Sequence, residues 1–322
     1  MNSLCAPFSV EEKHVEFTKI VIFHLVVKSG SASLLTENCP LCESAVPEIL
    51  ADYREFTWVS CSCGLIYKRS ELSLCDADNI YNPSYFKGGN AKHAHAYDRR
   101  TKRRIKKSQK QIQHALRYTE PGNLLDIGCS LGYTLKAAKN LGLTAYGIDI
   151  SQYAVDKCRE EGLQVEIGGL DNIPYPDETF SIVVMKHVLE HTIHPVRALR
   201  EVRRVMKPGG AIFIAVPNAN YIKARLNPAK SRFYRPETRG GTEHYVYYTP
   251  RTLSQMLEQN GITVQKVHPH LIGARSSVIC TLAELPIVPL KFIAETVLST
   301  LGLRKEFWIS GLKNGLKKFE HK

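Results

Sequence analysis

The amino-acid sequence predicts an α/β protein with a mostly parallel sheet, preceded by a small cysteine-based module. Three observations support this prediction. From Asn123 onward, short apolar runs alternate with amphipathic segments, which is typical of strands and helices around a parallel sheet. A turn rich in glycine follows the first apolar run, in LLDIGCSLG. Upstream, four cysteines form two closely spaced pairs.

The predicted strands and helices follow one another through the second part of the chain. Seven short runs have the apolar character of buried strands, and four segments have the spacing of an amphipathic helix. The predicted strands are 124–128, 144–150, 164–168, 180–186, 211–217, 262–267 and 307–312. The predicted helices are 131–141, 151–161, 194–206 and 250–260. We expect residues 207–210, Lys-Pro-Gly-Gly, to end the third helix and turn into the next strand.

Composition limits the class of protein. Of the 322 residues, 43% are hydrophobic and 23% are charged, close to ordinary soluble domains. The apolar runs at 20–27 and 278–303 contain polar residues and fall short of the roughly 18 uninterrupted apolar residues of a membrane span. In the first 30 residues, acids precede the apolar run and no convincing cleavage site follows, so no secretory signal is expected. The expected location is the cytoplasm.

The formal net charge of +12 is unevenly distributed. Nine Lys and Arg residues fall within residues 99–117, where we expect a helix at about 96–118. Such a segment could bind nucleic acid, anionic lipid or a phosphorylated substrate. It could equally be the solvated face of a helix that joins two domains. Residues 76–118 are expected to form a linker that ends in this basic helix, and residues 1–35 stay unassigned.

Candidate cofactor residues lie where the first two predicted strands end. The first strand runs into a turn that holds Gly128 and Gly132, where a ligand can approach the backbone closely. Asp149 ends the second strand, 23 residues after Asp126, where its carboxylate could accept both hydroxyls of a ribose. Asp149 could instead only cap the helix that begins near Ser151. The turn lacks the further phosphate-binding glycine of a dinucleotide site.

Longer segments resemble class I S-adenosylmethionine (SAM)-dependent methyltransferases. Five of them occur in that family's order and spacing: LLDIGCSLG, YGIDIS, IPYPDETFSIVVMKHVLEH, ALREVRRVMKPGGAIFIAVPN and EHYVYYTPRTLSQMLEQNGITV. The resemblance covers about residues 119–270. It is greatest to the branch with Leu-Glu-His after the fourth strand, which includes ubiquinone-biosynthesis-type O-methyltransferases. It implies a Rossmann-like, seven-stranded sheet in a domain that spans residues 119–322.

The resemblance also implies roles for individual residues. The methionine part of SAM would be held by Asp126, Gly128, Cys129 and Gly132, the ribose by Asp149 and the adenine by Ile150, with Leu170 and Asp171 near the adenine edge and His187 near the sulfonium. Two positions depart from the family's pattern. Ser130 stands where a third glycine is common, and Gly169 stands where many relatives have an acid that contacts the adenine.

The two cysteine pairs predict a structural metal site. They are Cys39 with Cys42 and Cys61 with Cys63, and four thiolates suit tetrahedral Zn²⁺. A metal would also supply folding energy that so short a segment lacks. The module, residues 36–75, resembles the zinc ribbon that precedes the methyltransferase domain in a group of bacterial SAM enzymes. There the second pair has two intervening residues and here it has one, so degenerate structural cysteines are the alternative.

Histidines near the predicted cofactor site are candidates for a general base. SAM carries its own electrophile, so the protein mainly positions the acceptor, and a hydroxyl acceptor must also lose its proton. His191, in KHVLEH, and His244, in GTEHYVYY, are the candidate bases, with His187 as a third. His191 could instead be structural, and Glu190 could orient a neighbour. Catalysis by positioning alone is a further alternative.

Two segments are expected to meet the acceptor. Residues 218–245 mix aromatic residues with arginines, as a lid over a phosphorylated or carboxylated acceptor would; a solvated surface loop is the alternative. An apolar helical insertion at about 271–305 could lie on a membrane surface or cover a lipid-like substrate. Packing on its own domain or on a second subunit is the favoured interpretation of that insertion.

The sequence favours methyl transfer to a small-molecule, glycan or lipid-precursor acceptor, at oxygen. RNA methylation is the main alternative, because a cysteine module and a basic helix could bind RNA. It is weakened because the Asn-Pro-Pro-Tyr motif of base amino-group methylation is absent after the fourth strand, where KHVLEH stands. A SAM-binding protein without turnover is the third hypothesis. The acceptor and the oligomeric state stay open.

Overall fold

The structure is a computed structural model that describes residues 38–54, 56–69, 94–236, 238, 243–268 and 306–314. Three predicted segments lie outside the described residues: the unassigned N-terminal segment, the linker before the basic helix, and the apolar insertion at 271–305. The two cysteine pairs and all seven predicted strands of the main sheet lie within the described residues.

The described residues form eleven strands. In chain order they are β1 (Glu48–Asp52), β2 (Thr57–Ser60), β3 (Ile66–Arg69), β4 (Leu124–Ile127), β5 (Ala145–Asp149), β6 (Gln164–Ile167), β7 (Phe180–Lys186), β8 (Met206–Pro217), β9 (Val246–Tyr247), β10 (Ile262–His268) and β11 (Glu306–Lys313). The helices are α1 (Ala94–Ala115), α2 (Tyr133–Lys139), α3 (Gln152–Glu160), α4 (Pro195–Val205), α5 (Ile222–Leu226) and α6 (Pro250–Gln259).

A seven-stranded sheet in the order β10-β11-β8-β7-β4-β5-β6 forms the centre of the fold. Strands β4 to β8 pair in parallel, while β11 is antiparallel to both β8 and β10. The predicted Rossmann-like, seven-stranded α/β fold is therefore confirmed. Because chain order reverses on either side of β4, a crevice opens at the carboxyl ends of the central strands.

Apolar spacing and helix caps explain the elements around this sheet. Six of the seven residues of β7 are buried, as expected for a central parallel strand covered on both faces. Helix α4 buries Ala198, Leu199, Val202 and Val205, which lie on one helix face. The Ser151 side chain caps α3 by accepting from the backbone N–H of Ala154. This hydrogen bond fixes the start of the helix.

The Lys-Pro-Gly-Gly segment differs from its prediction as a turn between helix and strand. Strand β8 already begins at Met206, opposite Phe180, and its register against β7 shifts before Ala211 pairs with Ile182. Gly209 has φ +71°, a left-handed conformation that glycine adopts without strain. The segment is thus an irregularity inside a long strand.

The basic helix packs on the main domain through one face. Ile112 and Ala115 of α1 are buried in a cluster with Leu124, Ala137 and Phe213. Its exposed basic face carries Lys102, Arg103, Arg104, Lys106 and Lys110, and the exposed Arg117 follows just beyond the end of the helix. Among the described residues, no helix combines the length and the apolar character that crossing a membrane requires.

The cysteine module forms a second sheet that includes a strand from the main domain. Its order is β1-β2-β3-β9, and β9 pairs antiparallel with β3 through Ile66 opposite Tyr247 and Tyr67 opposite Val246. This strand was not predicted from the sequence, because two residues are too few to show the alternation of apolar and polar residues that is typical of a strand. The module is therefore joined to the main domain by backbone pairing.

Candidate active site

One cavity of about 1190 Å³ lies at the carboxyl ends of the central strands. It brings together eight of the residues that the sequence analysis selected: Gly128, Asp149, Ile150, Leu170, Asp171, His187, His191 and His244. The first five lie at the end of β5 or in the turns that follow β4, β5 and β6, which form the cofactor side, and the histidines belong to the segments after β7 and before β9. Parallel strands direct the loops that follow them to one edge of the sheet, which is why residues distant in sequence meet here.

Asp149 organises the turn after β4. Its two carboxylate oxygens accept from the backbone N–H groups of Ser130 at 2.8 Å and Ser151 at 2.9 Å. Ser130 has φ +52° and Gly128 has φ +68°, so the turn runs through left-handed conformations. Burial raises the pKa of Asp149, opposed by these backbone N–H groups. The carboxylate therefore holds the glycine turn and also lines the cavity.

Three of the predicted cofactor residues do not line the cavity. Asp126 is 2% exposed and lies beneath the turn. The Cys129 side chain is buried in a cluster with Leu135, Val155 and Cys158. Gly132 precedes α2 with φ +70°, and a Cβ there would meet Leu163 and the sulfur of Cys158. These residues support the turn from behind.

Lys186 is a cavity residue that the sequence analysis missed. It ends β7, lines the cavity, and donates from Nζ to Thr134 Oγ1 at 2.7 Å and to Ser108 Oγ at 3.3 Å. Burial lowers its pKa, opposed by the nearby Asp126 carboxyl, whose own pKa burial raises to about 6. A lysine at the end of the apolar run FSIVVMK was the available signal, since a charge there must find a polar environment.

Glu190 lies at the centre of the histidine cluster. It is 0% exposed, and its Oε1 lies 3.2 Å from Nδ1 of His187. His187 has φ +56°, an uncommon conformation for a non-glycine residue. Burial opposes ionisation of both side chains, but their hydrogen bond and the surrounding charges together outweigh it, so the pKa of His187 is raised and that of Glu190 is lowered. The sequence analysis gave Glu190 an orienting role, which this contact suits.

The two candidate bases, His191 and His244, lie in contact with each other, edge to face. The imidazole centroids of His191 and His244 lie 4.6 Å apart. Burial lowers the pKa of His244 to about 3, so this ring stays neutral near neutral pH and is a weak base. His191 lies closer to Glu190 in sequence, in a short 3-10 helix at Leu189–His191. The lowered pKa of His244 argues against this ring as the general base, which leaves His191 as the candidate.

An aromatic wall forms part of the cavity lining. Tyr221, Phe233, Tyr245 and Tyr247 line it, and the rings of Phe233 and Tyr247 stack at 4.8 Å with 3° between their planes. Among the lid arginines, Arg232 also lines the cavity, while Arg239 lies outside the described residues. The lid segment is therefore in part a buried wall and not only a solvated loop.

The four clustered cysteines lie in one compact group away from the cavity. Sγ of Cys39 is 3.7 Å from Sγ of Cys63, and Sγ of Cys42 is 3.4 Å from Sγ of Cys61. All four sulfurs lie within 4.8 Å of one another. Tetrahedral Zn²⁺ with bonds of about 2.3 Å separates its sulfurs by about 3.8 Å, so the arrangement fits a Zn²⁺ ion. Gly64, with φ +94°, lets the shorter second pair turn sharply enough.

The fold and the cavity define a class I SAM-dependent methyltransferase domain. A parallel sheet of this order, a glycine turn after its first strand and an acid that ends the next strand are the features of that class that the sequence analysis expected. The chain belongs to the methyltransferase-domain family, whose sequence profile matches residues 97–267, just over half of the chain. The matched region begins within α1 and ends in β10.

Relatives with assigned names include methyltransferases for nitrogen and for oxygen. Norajmaline N-methyltransferase of Rauvolfia serpentina is 32% identical over 163 residues, which cover 44% of this chain and 54% of that protein. The mitochondrial ubiquinone biosynthesis O-methyltransferase of Homo sapiens is 29% identical over 155 residues, which cover 45% of this chain and 42% of that protein. The chain thus spans about half the length of these two relatives.

Among solved structures, a SAM-dependent methyltransferase from Archaeoglobus fulgidus superimposes with a TM-score of 0.45 and 21% identity. The superposition covers 64% of this chain and 94% of that one. At this level of similarity it has no bearing on substrate or partner.

Proposed function

We propose that this protein transfers the methyl group of SAM to a small organic acceptor, at an oxygen atom. The single observation that carries the proposal is that one cavity is lined by the glycine turn with Asp149, by the histidine cluster and by the aromatic wall. At about 1190 Å³ it exceeds the roughly 300–1,000 Å³ of a typical one-ligand pocket. That size suits a cofactor and an acceptor held together.

SAM would lie along the side of the cavity formed by the first strands. The turn at Gly128 would face its methionine part, Asp149 its ribose, and Ile150 with Leu170 its adenine, with Asp171 at the adenine edge. Asp126, Cys129 and Gly132 would act from behind by fixing the turn. When bound, SAM supplies an electrophilic methyl group on a sulfonium. The protein's part is to hold an acceptor atom in line with that methyl group.

The acceptor would bind between the histidine cluster and the aromatic wall. Tyr221 and Phe233 offer flat apolar surface, and Arg232 offers a charge for an acidic substituent. His191 would take the proton of a hydroxyl acceptor, with the Glu190 carboxylate stabilising the charge that forms. The named relatives act on both nitrogen and oxygen, so the preference for oxygen rests on this base. A small-molecule, glycan or lipid-precursor acceptor suits the site.

We propose that the cysteine cluster of Cys39, Cys42, Cys61 and Cys63 binds one structural Zn²⁺ ion. Four sulfurs leave no open coordination position, so the ion would stabilise and not react. Because β3 of the module pairs with β9, and Tyr245 and Tyr247 at β9 line the cavity, the ion would stiffen the aromatic wall. Its effect on the reaction would be exerted through the shape of the acceptor side.

RNA is the second candidate acceptor, favoured by the exposed basic face of α1. The exposed side chains from Lys102 to Arg117 on that face include no acid, so the face could contact a phosphate backbone. It could also contact an anionic membrane surface. Retention on immobilised RNA that weakens steeply with salt would favour RNA, and retention on anionic vesicles alone would favour the membrane. We propose that the protein is located in the cytoplasm.

The decisive experiment uses SAM with an isotopically labelled methyl group. Purified protein is incubated with this SAM and with small-molecule extracts or total RNA in parallel, and labelled products are sought by mass spectrometry. We expect S-adenosylhomocysteine together with a labelled product of low mass. Label in RNA alone would overturn the small-molecule acceptor. Calorimetric binding of SAM without S-adenosylhomocysteine from any extract would support the interpretation as a SAM-binding protein without turnover.

A further inference from the structure

We infer that Glu190, His191 and His244 form a binding site for a divalent metal ion on the acceptor side of the cavity. Each side chain offers one ligand atom, and the three atoms lie within 4.8 Å of one another. All three residues line the cavity. Two imidazoles and one carboxylate are a common ligand set for divalent transition metals. This site is separate from the cysteine cluster and uses nitrogen and oxygen in place of sulfur.

Hydrogen bonding directs the free nitrogen of His191 away from the backbone. Nδ1 of His191 lies 3.0 Å from the carbonyl oxygen of Glu243. A carbonyl oxygen only accepts, so Nδ1 carries the proton and Nε2 of the neutral ring keeps a lone pair. A ring that is fixed through one nitrogen and free at the other is the usual arrangement of a metal-binding histidine.

The same reasoning applies to His244, through Tyr247. The hydroxyl of Tyr247 donates to the carbonyl oxygen of Phe233 at 2.7 Å, so its proton is committed there. Nδ1 of His244 lies 2.9 Å from that hydroxyl and must donate to it. Nε2 of the neutral His244 ring is therefore also a lone-pair atom. Tyr247 thus fixes the orientation of His244 from behind, as a backbone carbonyl does for His191.

Glu190 adds an oxygen that lacks a partner within the protein. Its Oε1 is close to His187, but its Oε2 is buried and has no hydrogen-bond partner in the described part of the chain. A buried, unpaired carboxylate oxygen is costly. Each of the three side chains therefore keeps an acceptor atom, and because their ligand atoms lie close together, a shared cation could satisfy all three.

The chemistry of the ligands indicates which ions the site would take. Two nitrogens and one carboxylate oxygen suit Zn²⁺, Co²⁺, Fe²⁺ or Mn²⁺. Three protein ligands leave at least one coordination position for water or for an oxygen of a bound molecule. The four sulfurs of the cysteine cluster leave none. We therefore expect two kinds of site in one chain, one closed and one open to the cavity.

The test counts bound ions in matched variants of the full chain. Wild-type protein and Glu190→Gln are saturated with Zn²⁺, dialysed, and analysed by native mass spectrometry. We expect wild type to hold one more Zn²⁺ per chain than Glu190→Gln. Cys42→Ser is the matched control, because it alters the other cluster and should keep the ion that depends on Glu190. Equal Zn²⁺ content in wild type and Glu190→Gln would overturn the inference.

A second variant and a spectrum guard against misfolding of the buried Glu190 position. His244→Gln keeps a polar side chain near Tyr247 and should lose the same ion, while SAM affinity measured by calorimetry reports that the domain is folded. In wild type loaded with Co²⁺, we expect one component of the visible spectrum without thiolate-to-metal charge transfer. If all bound Co²⁺ carries thiolate bands, the inference is wrong whatever the variants do.

The metal site and the proposed methyl transfer can be tested separately. An ion bound to Nε2 of His191 would occupy the lone pair with which that ring would accept a proton, so with the ion bound, the ion and not His191 would promote ionisation of a hydroxyl acceptor. SAM binding and labelled products test the function, and ion counts with the Co²⁺ spectrum test the site. Loss of the ion with SAM affinity retained would support the metal site even if no acceptor is found. Turnover without any ion dependent on Glu190 would retain the function and reject the site, leaving His187 as the partner of Glu190.

Discussion

The two sides of the cavity are built in different ways. The cofactor side comes from a compact stretch of chain, from Asp126 to Asp171, in which each strand leads directly to the next turn. The acceptor side is assembled from the 3-10 helix after β7, the lid that follows β8, and β9. It is further supported by the cysteine module through the pairing of β3 with β9. One side is local in sequence, and the other depends on contacts between distant segments.

This difference indicates how each side should respond to damage. The cofactor side rests on the central parallel sheet, whose strands are buried, so it should persist when a peripheral element is lost. The acceptor side depends on a two-residue strand and on a module too small to stabilise itself without a metal. Substitutions on each side can therefore show whether the two sides are energetically separate.

Cys61→Ser should have the largest effect, and it should fall on the acceptor side. Loss of one thiolate removes the proposed Zn²⁺ ion, and structural Zn²⁺ sites are worth on the order of 10 kcal/mol. We expect loss of the one Zn²⁺ ion held by the cysteine cluster and loss of turnover, while SAM affinity changes by less than about threefold, or ~0.7 kcal/mol. Metal analysis and calorimetry measure the two effects, with Ser62→Ala as the neighbouring control. Parallel loss of SAM affinity would mean that the two sides fold as one.

Gly128→Ala should be the most damaging substitution on the cofactor side. Gly128 has φ +68°, and an added Cβ would lie 2.5 Å from Cγ2 of Val188. Gly142→Ala is the matched control, because its φ is +74° and nothing lies within 4 Å. Both changes cost roughly 1–2 kcal/mol in backbone strain, and the collision at Gly128 should add about 1–3 kcal/mol. Denaturant unfolding measures the difference, and equal losses would show that Val188 moves aside freely.

Asp149→Ala should weaken SAM binding by about 1.5–3 kcal/mol, the scale of hydrogen bonds to a charged group. The substitution removes the acceptor of the Ser130 and Ser151 N–H groups and the proposed ribose contact. Asp171→Ala, on an exposed side chain of the same cavity, should cost less than about 1 kcal/mol. Calorimetry with SAM compares the two. An unchanged affinity in Asp149→Ala would contradict the cofactor assignment.

Asp126→Asn should produce the smallest effect, visible as a dependence of stability on pH. Burial raises the pKa of Asp126 to about 6, above its unfolded value of about 3.9. The folded state then binds more protons between these pH values, so the stability that this group contributes at acid pH is lost as pH rises through about 6. Relative to Asp126→Asn, wild type should lose about 2 kcal/mol of unfolding free energy between pH 4 and pH 7. If the difference in unfolding free energy between the two proteins did not change with pH, Asp126 would not be the group that binds the proton.

The sequence predicted the cofactor side well because its signals are local. Alternating apolar runs located all seven strands of the main sheet, and the turn with Gly128 and the acid at 149 fell in the same cavity as expected. Cys129 and Gly132 were grouped with them by resemblance, yet their side-chain positions face the cluster between α2 and α3. Position in a motif does not say which way a side chain points.

The acceptor side could be predicted only in part. His191 and His244 were selected singly, and their closeness to Glu190 followed from the tertiary fold. Lys186 was missed because a single lysine at the end of an apolar strand is not part of any repeating sequence pattern. Strand β9 was missed because two residues are too few for a pattern, and its pairing with β3 depends on where the two sheets come to lie.

The sequence by itself determined the fold class, the order of strands and helices, the cofactor turn and the four clustered cysteines, because each depends on neighbours a few residues apart. Tertiary structure alone decided which groups share the cavity, which tautomer each histidine presents, and how the cysteine module supports the aromatic wall. These depend on distances between segments far apart in the chain, and such distances are set by packing of the whole domain.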